Sequence, residues 1–152
     1  MRKVLYIVAA VAGVGFVGLL IWARNAPPPS TLGVHDGSLS ECPGSPNCVS
    51  SQTESSQHQI EPITFAGDAT TAMERIRATI DGMSRTKIVT HTDKYLHAEF
   101  RTSLIGYIDD LECLLDSDAG TIHIRSASRL GHSDLGANRK RVEAIRTAFA
   151  GQ

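Results

Sequence analysis

The sequence predicts a small α+β domain built in two layers, a mostly antiparallel sheet with two helices on one face, preceded by one transmembrane helix. Three observations predict it. The run over residues 4–23 holds no charged residue. Segments over 95–102, 107–116 and 121–128 alternate apolar with polar residues or are rich in strand formers, and short turn sequences separate them. Two further segments, one after Asp68 and one after Ser133, carry apolar residues every three to four positions, the period of a helix with one buried face.

The first element is VLYIVAAVAGVGFVGLLIWA. At about 1.5 Å of rise per residue such a helix spans roughly 30 Å, the thickness of a bilayer's hydrocarbon core. Tyr6 and Trp22 stand near its two ends, where amphipathic rings suit the interfaces. A cleaved signal peptide is the rival reading, but the run exceeds the usual signal core, and the small residues near Ala23 and Ala26 lie beside Arg24 and three prolines. Arg2 and Lys3 precede the span and only Arg24 follows it closely, which places the N-terminus in the cytoplasm and the remainder on the periplasmic side of the inner membrane. Setting aside those three residues leaves 12 basic against 16 acidic residues beyond the span, a net charge of −4. A mildly acidic domain has no general attraction for nucleic acid.

The expected organisation is a cytoplasmic tip over 1–3, an anchor over 4–23, a Pro/Gly/Ser-rich stalk over 24–40 that lifts the domain off the bilayer, and an exported domain over 41–152. Within it, 60–65 reads as a short strand and Asp68 as the cap of a helix whose apolar positions are Ala72, Met73, Ile76, Ile80 and Met83, with Gly82 as its stop. A strand follows over 87–91. In 95–102, Leu96, Ala98 and Phe100 take one face and His97, Glu99 and Arg101 the other. The last two strands meet at Ser117, Asp118, Ala119 and Gly120. A final helix, capped by Ser133 or Asp134, shows the stripe Leu135, Val142, Ile145 and Phe149. The order β-α-β-β-β-β-α leaves the sheet face opposite the helices as a solvated one.

Three motifs then stand out: CPGSPNCVSS at 42–51, YIDDLE at 107–112, and RSASRLGHSDLGANRKR at 125–141. On these the sequence resembles the bacterial and plastid family called domain of unknown function 1499, over roughly 42–149. The resemblance implies an anchored or exported location and a shared framework at the three motifs; it implies no reaction, cofactor or ligand.

The chemistry-bearing residues fall into three groups. Cys42 and Cys48 are spaced for a structural disulfide across a Pro-Gly turn, with reduced thiols or half of a metal site as alternatives. Two cysteines without a second pair make a poor zinc site, so no metal and no cofactor is expected. Cys113 reads as a small buried hydrophobe. Asp109, Asp110, Glu112, Arg125 and Asn138 form a polar-face group, either a cross-strand ion-pair ladder or a binding face. Arg129, Gly131, His132, Ser133 and Arg139 surround the start of the last helix, whose free N–H groups and partial positive charge suit an anion. Internal aspartates are the alternative occupants of those donors.

Nucleophile-elbow, phosphate-loop and HExxH fingerprints are absent from the sequence. The favoured reading is a noncatalytic binding or structural module of the envelope, held to the membrane by its N-terminal helix and meeting an envelope protein or a small anionic ligand. The alternative is an envelope hydrolase or transferase working through Asp, His and Arg groups.

Overall fold

The computed structural model describes residues 1–151. The apolar run forms α1 (Arg2–Arg24), long and apolar enough to cross a membrane and almost wholly exposed along its length. The remaining elements are β1 (Val34–His35), β2 (Ser38–Leu39), β3 (Cys48–Ser50), β4 (Ile63–Thr64), α2 (Ala69–Asp81), β5 (Thr86–His91), β6 (Tyr95–Arg101), β7 (Ile108–Asp116), β8 (Thr121–Ser128) and α3 (Ala137–Ala150). The main sheet runs β3-β8-β7-β6-β5, with β4 also on β8, and its strand pairs are antiparallel.

Local chemistry accounts for the helix limits. Asp68 accepts from the Thr71 amide at 2.7 Å and the Thr71 hydroxyl at 2.9 Å, and Gly82 ends α2. Ala72, Met73, Ile76 and Ile80 of α2 and Val142, Ile145 and Phe149 of α3 pack on Leu96, Ala98, Phe100, Leu111, Cys113, Ile122 and Ile124 of the sheet. Burying each isoleucine stabilises the fold by roughly 1.5–3 kcal/mol, so this layer supplies most of the hydrophobic drive. Cys113 lies within it, and burial pushes its thiol up to about 12.

Three expectations are corrected. The start of the last helix falls later than its apolar pattern indicates: Leu135 is not on the buried stripe but 88% exposed, with a positive φ of 54°, and α3 begins after Gly136. Residues 41–59, whose composition reads as loop, are not loop throughout but contain β3, an edge strand whose three residues are buried. The third correction concerns the sheet face away from the helices, which is covered instead of solvated. His97, Asp110, Glu112 and Arg125 on that face are each buried.

The cover is the segment over 26–43, with its small β1-β2 hairpin. Arg129 donates to the Ala26 carbonyl at 2.7 Å, the Gly33 amide to Glu112 Oε1 at 2.8 Å, and the Leu39 amide to Gln52 Oε1 at 2.9 Å. Leu39 of the hairpin is itself buried. The disulfide Cys42–Cys48 then fixes its far end to β3. Closing so short a loop removes only about 2 kcal/mol worth of unfolded-chain freedom, so the bond acts mainly as a fastener. Residues 26–43 therefore form a strap laid across the sheet.

The end of α1 is also seated on the domain. Ala23 is buried, Arg24 Nε donates to the Ile105 carbonyl at 2.8 Å, and Arg101 Nη1 donates to the Arg24 carbonyl at 2.8 Å. Gly106, at φ 81°, lets the chain pass under Arg24, whose side chain would lie 3.0 Å from any added Cβ.

Candidate functional site

Under the strap, alternation along β6, β7 and β8 brings Tyr95, His97, Glu99, Asp110, Glu112 and Arg125 to one face, and Arg129 follows from the end of β8. Arg129 grips Asp110 with two bonds, Nε to Oδ2 at 2.8 Å and Nη2 to Oδ1 at 2.7 Å, and reaches Glu99 at 2.6 Å. His97 Nε2 donates to Asp110 Oδ1 at 2.7 Å. Burial alone would raise the Asp110 carboxyl, but the hydrogen bonds and charges of Arg129 and His97 outweigh it and hold the group below its usual range. Glu112, fully buried, accepts from Arg125 at 3.0 Å, from the Tyr95 hydroxyl at 2.8 Å and from the Gly33 amide. Burial, with the Glu112 charge beside it, drives the Tyr95 phenol well above its ordinary range and keeps it a donor.

One charged group in this face has spare capacity. Arg125 is 4% exposed, donates to Glu112 only through Nη1, and its buried Nε has no hydrogen-bond partner. Arg125 lines a cavity of about 370 Å³ between the strap and β8, together with Arg129, Asp110, Pro29, Pro43 and Ala127.

Asp109 and Asn138, grouped with this face by sequence, lie on the other side of the sheet. Asp109 alternates with Asp110 and pairs with Arg141 of α3 at 2.6 Å, and the Arg141 guanidinium stacks 4.7 Å from the Phe100 ring. Asn138 has no exposed surface; its amide donates to the Asn47 carbonyl at 3.0 Å, Ser128 Oγ at 3.0 Å and Asp134 Oδ2 at 2.8 Å, while its oxygen accepts from Ser126 at 2.6 Å. This cluster ties β3, β8 and α3 together at the motif residues.

The corner drawn from Arg129, Gly131, His132, Ser133 and Arg139 is not brought together. Arg129 turns under the strap, while Arg139 crosses to the 57–59 loop and donates to the Gln59 carbonyl at 2.8 Å and the Gln57 carbonyl at 3.1 Å. Gly131, His132 and Ser133 are exposed loop residues. The donors at the start of α3 already have an acceptor in the chain: Asp134 takes the Gly136 amide at 2.9 Å and the Asn138 amide at 2.7 Å. The aspartate balances the helix end internally.

Sequence reasoning missed Tyr95, Gly33, Asn47 and Arg141. Arg141 was legible in principle, because it stands one turn beyond Asn138 and next to the buried Val142. The other three act through a strap or a backbone register that side-chain type does not announce. Among the described residues, no group of three or more His, Cys, Asp or Glu side chains is arranged to hold a metal ion.

A sheet with helices on one side and a strapped, ion-paired face on the other defines an α+β module whose charged residues are chiefly engaged with one another. The chain belongs to the family described as protein of unknown function (DUF1499), whose model matches residues 38–149. The matched span contains all three motifs and both polar clusters, and leaves out α1 and the first part of the strap. No curated protein matches the chain.

Proposed function

We propose that this protein is a membrane-tethered, noncatalytic binding module that takes a small monocarboxylate beneath its strap. The observation that carries the reading is Arg125, a buried guanidinium with its Nε unpartnered beside a cavity. A buried charged donor without an acceptor is costly, and a planar carboxylate fits the edge of a guanidinium. The volume of about 370 Å³ lies at the small end of ligand pockets. Asp110 and Glu41 also line the cavity, so a single negative charge suits the site better than the double charge of phosphate. Pro29, Pro43 and Ala127 would meet the apolar remainder of such a molecule.

The hydrolase alternative needs a free acid and a free base. Asp110 and Glu112 are instead each held by three donors, which supports binding over catalysis. In this reading α1 is an inner-membrane anchor with its N-terminus in the cytoplasm. Arg2 and Lys3 ahead of the span support that orientation, and a Cys42–Cys48 disulfide suits the oxidising periplasm.

The test is thermal melting of the full chain in neutral detergent micelles with acetate, larger monocarboxylates, a dicarboxylate and inorganic phosphate. Monocarboxylates are expected to raise the melting temperature of the parent, because a ligand of the native state adds to its stability. Arg125→Lys keeps a positive charge for Glu112 but loses the planar edge, so it should fold and lose the increase. An unchanged parent, an increase that survives in Arg125→Lys, or an equal response to phosphate would overturn the assignment.

A further inference from the structure

We infer that the end of the sheet where α1 joins the domain is a binding site for an anionic phospholipid headgroup, with Leu104 inserted into the adjacent bilayer surface; the inference rests on α1 being the membrane anchor. The geometry starts from the seating of α1. Arg24, the last residue of the helix, bonds the Ile105 carbonyl, and Arg101 bonds the Arg24 carbonyl, so the loop over 102–107 is held against the point at which the helix would leave the hydrocarbon. The domain does not hang from a free linker at that point.

Charge and apolar surface both collect there. Arg24, Arg85, Lys87 and Arg101 line one cavity of about 360 Å³, whose only acidic lining residue is Glu99. Glu99 is already bonded to Arg129 at 2.6 Å and lies 4.0 Å from Arg101. Four cations thus surround a cavity whose single carboxylate is largely spent, which is an unfavourable arrangement without a counter-anion. The rest of the domain past the span is acidic on balance, so general basicity is not the cause. Immediately beside this cluster Leu104 is 89% exposed, the most exposed leucine among the described residues, and Leu135 at 88% stands on the loop that borders the same end of the sheet. A protruding leucine rimmed by basic residues, next to a membrane span, has the chemistry of a bilayer interface: the cations meet lipid phosphate and the leucine meets acyl chain. A free phosphate would explain the cations but leave the leucines in water, so the lipid is the better occupant.

The experiment uses the full chain with Leu104→Cys carrying an environment-sensitive fluorophore; Cys42 and Cys48 are joined and Cys113 is buried, which confines labelling to the new site. The protein is placed in nanodiscs of phosphatidylcholine alone, and of phosphatidylcholine with an equal part of phosphatidylglycerol, each with spin-labelled lipid as a depth quencher. The expected result is strong quenching and a blue-shifted emission, greater with phosphatidylglycerol, and neither effect for a label at Asp118→Cys in the β7–β8 turn at the opposite end of the sheet. Arg85→Gln and Lys87→Gln should each shift the docked-to-free ratio by about fivefold toward the free form in the anionic nanodisc. Equal, water-like emission from position 104 in both lipids would overturn the site while leaving the anchor intact. Emission shifted equally in both lipids and unaffected by Arg85→Gln and Lys87→Gln would overturn the headgroup assignment. Separately, loss of the unlabelled chain from vesicles on alkaline carbonate extraction would show that the anchor reading itself had failed.

Discussion

Arg129→Ala is expected to destabilise the folded chain by about 3–5 kcal/mol, measured by urea unfolding in neutral micelles, because it leaves a buried carboxylate without its main partner. Three losses combine. Asp110 loses a two-pronged grip, Glu99 loses its closest cation, and the Ala26 carbonyl at the start of the strap loses its donor. The effect should depend on pH in a defined sense. Native Asp110 is held below its ordinary value of 3.8, so the stability it confers is present above that pH and is lost as the pH falls through the depressed native value. Without Arg129, His97 alone is left to oppose burial, so the carboxyl should rise from its native value. The parent's advantage over the variant should therefore be largest near neutrality and shrink on acidification. Adding Asp110→Asn to Arg129→Ala should recover part of the loss, since the uncompensated charge is gone; no recovery would assign the loss to the Ala26 and Glu99 contacts.

Asn138→Ala is expected to cost about 2–4 kcal/mol in the same measurement, for a reason that involves no ion pair at Asn138 itself. Its side chain holds the Asn47 carbonyl of the chain leading into β3, Ser126 and Ser128 of β8, and Asp134 ahead of α3. It also accepts from Arg141, which in turn pairs with Asp109. Removing it leaves several buried polar groups short of partners and opens a small void in one step. Asn138→Asp tests the geometry: it keeps the size and the acceptor, but sets a second carboxylate beside Asp134, and should be at least as harmful as alanine. A loss below about 1 kcal/mol for Asn138→Ala would mean that the β3–α3 junction is held mainly by the core.

The parts of this fold that were legible in the sequence share a physical reason. Leu96, Ala98 and Phe100 against His97, Glu99 and Arg101 alternate because one face of β6 meets the helices, and Asp68 announces α2 because its carboxylate fits the orphan amides of a first turn. The strap was illegible for the opposite reason. It holds the sheet through the Gly33 amide and the Ala26 carbonyl, and backbone groups are the same whatever the side chain. Its proline-rich composition reads as a spacer, and the residues that engage it, Glu112 and Arg129, lie far along the chain. Leu135 misled the reading of α3 because it fits the apolar period, although the chain there turns through a left-handed conformation before the helix begins. The candidate site shows the same division. Its charges were visible, and Asp110, Glu112 and Arg125 share a face as alternation requires. Which charge meets which depends on strand register and on the cover, so Arg129 and Arg139, neighbours of one loop in the sequence, point to different parts of the fold.

The buried ion pairs and the cavity at Arg125 exist only if residues 26–43 lie fastened across the sheet as their cover. Amide hydrogen exchange at Gly33 in the full chain measures this directly. The strap predicts an amide slowed far below its intrinsic rate, as is also expected of the hydrogen-bonded β3 amide of Ser50, because its N–H is held by the buried carboxylate of Glu112. Exchange at the rate of a free chain would contradict it, restoring the segment to a loose stalk and the polar face to solvent.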